Sequence, residues 1–288
     1  MPLFTLEELE QMTPLFHGKT GRTLGRFAMK LLAINRVNTL YDRYSHLCGT
    51  EFTHNVLKDL GIKYDILAET PEVLTQLNEQ CKDTSYITIS NHPYGSIDGV
   101  ILADCFGQLF PNYKIITNKI LERVEALSSS FIPVTPTGSK RNTPTQESIL
   151  GIRHAFTHLT SGGSLGLFPA GAVSNFSLRD GKICDREWQL PIIRFIAKAR
   201  VPILPVRFFG GNSWFYYLLG LIDWRIRLLR LPAEVFNKAH TPILLGIGSI
   251  ISVEQQQEFL TTHSVAEFGQ WLRGKVYDMS MTDRKSVV

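Results

Sequence analysis

A histidine and an aspartate stand close together in the run Asn91-His92-Pro93-Tyr94-Gly95-Ser96-Ile97-Asp98-Gly99. The apolar segment Tyr86-Ile87-Thr88-Ile89 before it reads as a buried strand, and the apolar stretch from Val100 after it reads as a helix. His92 and Asp98 therefore fall on a strand-to-helix turn, where a helix N-terminus favours a carboxylate. An imidazole beside that carboxylate is fixed in one tautomer and stabilised as imidazolium, which is what removing a proton from an alcohol requires. Spacing alone also fits, and by itself favours, an ordinary turn histidine with Asp98 capping the helix.

Other chemically capable residues form weaker patterns. Gly162-Gly163-Ser164-Leu165-Gly166 matches G-x-S-x-G, the nucleophile elbow of serine hydrolases. An elbow needs a strand before the serine and a helix after it, whereas here a helical stretch ends at Leu159 and a strand follows, so a lipase acting through Ser164 is the lesser reading. His154 and His158 share a helical face without a third ligand, and the four cysteines, Cys48, Cys81, Cys105 and Cys184, lack zinc-ligand spacing. No metal site is expected, and the thiols read as reduced and structural.

The elements that must hold the turn can be read from periodicity. Short apolar runs at Lys114-Ile115-Ile116, Leu165 to Phe168, Ile203 to Val206 and Ile243 to Ile247 read as further strands. Helical stretches at Val100 to Leu109, Gln146 to Leu159, Trp188 to Ala199 and Val265 to Val276 separate or follow them. An α/β fold is expected, with a central largely parallel or mixed sheet flanked by helices and a helical N-terminal segment. We divide the chain into that segment at 1–62, a main domain at 63–278 and a polar tail at 279–288, which should fray.

Two stretches have surface-active character. Leu24, Phe27, Ala28, Leu31 and Leu32 recur at helical spacing among Arg26, Lys30 and Arg36, and Trp214 to Ile222 is an aromatic and aliphatic run followed by arginines. Each fits either an interfacial segment on lipid or a core-facing helix. Neither approaches the roughly 18–20 apolar residues that span a bilayer. The net charge of +4 is too mild and too scattered for nucleic acid, and suits an anionic membrane or an acidic carrier protein. The acidic start Leu6-Glu7-Glu8-Leu9-Glu10 lacks a secretory pattern, so a cytoplasmic protein, peripheral on the inner face of the cytoplasmic membrane, is expected.

Four segments in order carry a wider likeness: the His92 to Asp98 turn, Phe131-Ile132-Pro133-Val134, Phe168-Pro169-Ala170-Gly171-Ala172-Val173-Ser174, and Val201-Pro202-Ile203-Leu204-Pro205-Val206. Together they resemble the blocks of the phospholipid/glycerol acyltransferase superfamily. The wording around His92, with Phe-Pro-Ala-Gly-x-x-Ser and Phe209-Gly210-Gly211-Asn212-Ser213, is similar to its bacterial hemolysin-like branch, which includes O-acyltransferases that finish ornithine and glycine lipids. The resemblance runs from about Asn35 to Ile250. It implies the glycerolipid acyltransferase fold, His92 as base and Asp98 as its orienter, and acyl transfer from an acyl carrier protein or coenzyme A thioester to a lyso-lipid hydroxyl. No bound cofactor and no nucleophilic serine are needed, because the thioester is already activated. A lipid-binding protein without turnover is the non-enzymatic alternative, against which the presence of both His92 and Asp98 argues.

Departures from the common pattern matter. Five residues, Pro93 to Ile97, separate His from Asp where four are common, so the turn must bulge at Gly95. Ala170 and Val173 stand where the common third block carries Glu and Arg, and Val134 where the second block commonly ends in an Arg; the arginines of those blocks are associated with the acceptor's phosphate. Losing bidentate phosphate ligands favours a phosphate-free lyso-lipid of the ornithine or glycine type. Lysophosphatidate or glycerol phosphate is the alternative should Lys119, Lys140, Arg141 or Arg207 enter the site. Expected substrate-binding residues are Phe168 and Gly171, whose turn could present backbone N–H groups to an oxyanion, Ser174 with its hydroxyl, and Asn118, Arg207 and Asn212 at strand ends.

Overall fold

The computed structural model describes residues 3–12, 16–80, 84–110, 112–134 and 146–279. Cys81, Lys140, Arg141 and the tail from 280 lie outside the described residues. Four helices open the chain: α1 (Leu6–Met12), α2 (Gly18–Leu31), α3 (Ile34–Tyr44) and α4 (Gly49–Asp59). Strand β1 (Tyr64–Ala68), helix α5 (Pro71–Gln80), β2 (Ile87–Ser90), α6 (Ser96–Leu109), β3 (Lys114–Asn118) and β4 (Phe131–Val134) follow. Then come α7 (Gln146–Thr160), β5 (Leu165–Leu167), a hairpin of β6 (Asn175–Ser177) and β7 (Lys182–Cys184), α8 (Leu190–Ala199) and β8 (Ile203–Phe209). The chain closes with α9 (Trp214–Ile222), α10 (Trp224–Asn237), β9 (Ile243–Ile247), α11 (Val253–Thr262) and α12 (Val265–Tyr277).

Seven strands form one sheet in the order β1-β9-β8-β2-β5-β3-β4. All neighbours pair in parallel except β8 with β9, so β1 and β9 run against the other five. This is the expected mixed α/β sheet, and the expected strands and crossover helices are present. Periodicity does not pick out β1, β4, α5, α11 or the β6–β7 hairpin.

The central strand β2 is buried on both faces, as a sheet covered by helix layers on each side requires. One layer, with α3, α4 and α6, shares a core in which Phe52, Leu57, Ile101 and Phe106 meet Leu204 and Phe208 of β8. The other, with α7, α8 and α12, packs Ala155, Ile196, Phe268 and Leu272 on Ile87 and Leu165. At roughly 1.5–3 kcal/mol per fully buried large side chain, these two cores dominate the stabilisation of the fold. Helices α11 and α12 start with capping boxes at Ser252 with Gln255 and Ser264 with Glu267, which satisfy the N–H groups a first helical turn leaves open. Because β2, β5, β3, β4 and β8 run in one direction, the segments after them gather at one edge of the sheet, where α/β proteins bind ligands.

Candidate active site

The bend from Asn91 to Gly95 emerges at that edge from the end of β2. Asn91 extends the ladder with its side chain: Nδ2 donates to the Phe208 carbonyl at 2.9 Å, and Oδ1 accepts the Phe208 N–H at 2.7 Å. Tyr94 Oη donates to the Phe209 carbonyl at 2.6 Å, tying the far side of the bend to the end of β8. Gly95 has φ +84° and ψ −123°, a conformation other residues enter only at a cost, and a Cβ there would stand 2.9 Å from a Leu231 methyl of α10. The five-residue separation thus closes through Gly95, as the bulge requires.

This bulge brings His92 Nδ1 to 2.9 Å from Asp98 Oδ2. The same oxygen accepts the Tyr94 and Gly95 N–H groups at 2.9 and 3.0 Å. An oxygen receiving two amide N–H groups is an acceptor, so Nδ1 carries the hydrogen and Nε2 is left as the basic nitrogen. Asp98 is fully buried in the first turn of α6. Burial raises its carboxyl above the usual range, while the His92 hydrogen bond and charge and the Tyr94 and Gly95 N–H groups pull it back. The imidazole, by contrast, keeps 18% of its side-chain surface exposed. Phe168, just past β5, stacks on it with ring centroids 4.0 Å apart and fixes its plane.

The residues expected to bind substrate divide. Phe168 and Asn212 are brought to the bend, Asn212 Nδ2 reaching the Tyr94 carbonyl at 3.5 Å. Gly171 makes the expected tight turn, with φ +62° and Gln189 filling the place of a Cβ. Its N–H, however, closes that turn onto the Phe168 carbonyl at 2.8 Å and is thereby occupied, so the expected oxyanion role does not fall to this donor. Ser174 is buried and acts from beneath: its N–H bonds to the His92 carbonyl at 2.8 Å and its hydroxyl to Asp185 Oδ1 at 2.5 Å. Arg207 turns to the α12 side, where its guanidinium bonds to the carbonyls of Tyr277 and Met279 rather than to the bend. Asn118 lies two strands from β2 and caps a short 3₁₀ turn by accepting the Ile120 N–H.

Two supports of the site went unread. Asp185, just after β7, is buried and accepts the His92 backbone N–H at 3.2 Å besides the Ser174 hydroxyl. Arg227 of α10, also buried, donates to the carbonyls of Ser174 at 3.1 Å and Val173 at 3.4 Å. Nothing local in the sequence marks either, since each bridges positions far apart along the chain.

Ser164 belongs elsewhere. It is buried at the start of β5, at the opposite edge of the sheet from His92, and its Oγ accepts the Tyr86 N–H at 3.0 Å. That is a structural serine, not an elbow nucleophile. Cys105 and Cys184 are buried free thiols and Cys48 an exposed one. No metal-holding group of His, Cys, Asp or Glu occurs among the described residues.

The model of a family described as Acyltransferase matches residues 15–282. A lyso-glycine lipid O-acyltransferase of Phocaeicola vulgatus is 27% identical, with 95% of each chain covered. A protein of the same name from Bacteroides thetaiotaomicron is 24% identical, with 88% of each chain covered.

Proposed function

The chain belongs to the acyltransferase family, and from that premise we propose that it moves a fatty acyl group from an acyl thioester to the hydroxyl of a phosphate-free lyso-aminolipid, with His92 as general base. The observation that carries this reading is the 2.9 Å bond from His92 Nδ1 to the buried Asp98, which leaves Nε2 on a partly exposed ring at the ligand-binding edge of the sheet. As the lipid hydroxyl oxygen attacks the thioester carbonyl carbon, Nε2 takes its proton, and Asp98 steadies the imidazolium. The tetrahedral oxyanion then collapses, the carbon–sulfur bond breaks, and the imidazolium returns the proton to the leaving thiolate. A ring held in plane by Phe168 and by bonds to its own backbone from Asp185 and Ser174 loses little freedom on reaching that geometry.

A phosphate-free acceptor is supported by three features. Apolar Val134 and Val173 stand where the blocks they resemble commonly carry arginines associated with a phosphate, Arg207 is engaged with backbone carbonyls of 277 and 279, and both relatives bear the name lyso-glycine lipid O-acyltransferase. The donor is an acyl carrier protein or coenzyme A thioester, and the enzyme works at the inner surface of a membrane. The test supplies purified protein with labelled acyl-carrier-protein or acyl-CoA and, in parallel, a lyso-glycine lipid, lysophosphatidate and glycerol phosphate. Acylation of the lyso-glycine lipid is expected by mass spectrometry; acylation of the phosphate acceptors alone would reject the assigned acceptor.

A further inference from the structure

The run from Trp214 onward turns its apolar side chains outward. Tyr216 and Tyr217 face the body and are buried, and Tyr217 Oη accepts the Asn212 N–H at 3.0 Å. Glu234, buried in α10, accepts both the N–H and the hydroxyl of Ser213 at 2.9 and 2.7 Å and so fastens the start of α9. Outward of these anchors, Trp214 (66% exposed), Phe215, Leu218, Ile222 (76%), Trp224 and Leu229 stand in solvent within sixteen residues. Single exposed apolar residues are ordinary, but a contiguous cluster of this density on a folded surface marks a binding face.

From this we infer that the outer face of the α9–α10 hairpin seats in the interfacial layer of an anionic lipid bilayer, presenting the His92 bend to the membrane. The purpose of this seating rests on the acyl-transfer reading. Three observations select lipid as the occupant. The tryptophans Trp214 and Trp224 flank the aliphatic band, as indoles do where apolar matter meets water. The only acidic residue from 214 to 231 is Asp223. Neighbouring α2 carries exposed Lys19, Arg26 and Lys30 beside exposed Phe27 and Leu31, with no acidic residue, and α3 packs against both α2 and α10. Charge of that sign complements an anionic headgroup layer.

The hairpin is also joined to the site from within. Leu231 of α10 lies over Gly95 of the bend, and Arg227 holds the carbonyls beneath His92. A bilayer under α9 and α10 is therefore brought next to the catalytic corner. No helix among the described residues is long and apolar enough to cross the membrane, so the contact proposed is a seating on one leaflet.

The test uses the full chain and vesicles without acyl substrates, so that it reads docking independently of catalysis. Wild-type protein should sediment with vesicles of phosphatidylglycerol and phosphatidylcholine, and less with phosphatidylcholine alone. Phe215→Asp/Ile222→Asp/Leu229→Asp should lower partitioning roughly tenfold or more while keeping the wild-type circular-dichroism spectrum and melting. Brominated lipids should quench the wild-type tryptophan emission. That quenching should vanish in Trp214→Phe/Trp224→Phe, because Trp188 is buried in the core on the other side of the sheet and Trp271 packs against that core. Equal sedimentation of the triple variant, or no quenching of the wild type, overturns the inference. So does a wild-type dimer that avoids vesicles and becomes monomeric in the triple variant, which would give the face to a second copy. A protein that docks but transfers no acyl group leaves the seating standing and removes the acyl-transfer reading alone.

Discussion

The His92 bend and the α9–α10 hairpin are neighbours built on opposite terms. The bend is held by hydrogen bonds: Asp98 Oδ2 takes three N–H donors, although Asp98 Oδ1 is buried with no partner among the described residues, and the His92 backbone is held on both its N–H and its carbonyl. The hairpin is fixed at its inner face by two tyrosines and Glu234 and leaves its apolar outer face in water. The contrast teaches that hydrogen bonds are concentrated at the corner for which we propose proton transfer, while the adjoining surface is left uncommitted for something that binds by area. Substitutions in the two regions should accordingly fail in different ways.

The largest effect is expected from His92→Ala, which should lower turnover roughly 10²- to 10⁴-fold while the circular-dichroism spectrum stays that of the folded protein. A protein that keeps wild-type turnover without the imidazole would end the comparison. Ser174→Ala comes next. It removes the 2.5 Å bond to the Asp185 carboxylate and should cost about 1.5–3 kcal/mol of stability, measured by urea unfolding. Gly95→Ala should cost about 1–3 kcal/mol by the same measurement, because its backbone conformation suits glycine and Leu231 stands in the way. A stabilised Gly95→Ala protein would mean that the bend is looser than described. Smallest of all, Phe215→Ser should stay within about 0.5 kcal/mol of wild type, since its ring is half in solvent already. A large loss there would show that the hairpin's outer face is core after all.

Legibility in the sequence followed the same division. His92, Asp98 and the strand and helix around them could be read because a buried strand, a glycine bend and a helix start lie consecutively within about a dozen residues. The bulge at Gly95 was demanded by counting residues. Asp185 and Arg227 could not be read, because their partners His92 and Ser174 lie 93 and 53 residues away and are met only once the sheet edge is assembled. The roles expected of Ser174 and Arg207 changed for the same reason: a hydroxyl or guanidinium goes to the nearest strong acceptor, here Asp185 and the carbonyls after α12. Trp214 to Ile222 is apolar all round, so periodicity carries no sign of which side faces out. The inward tyrosines and outward tryptophan, leucine and isoleucine emerge only against the body of the fold.

The central claim is that His92 and Asp98 act as one unit in proton transfer. A double-mutant cycle of acyl-transfer rates measures this directly, using His92→Ala, Asp98→Asn and the pair at saturating donor and acceptor. Coupled residues predict that adding Asp98→Asn to His92→Ala slows the enzyme little further, because the carboxylate has no imidazole left to orient. Losses that multiply in full would contradict the account and make Asp98 a residue that serves the fold of the bend alone.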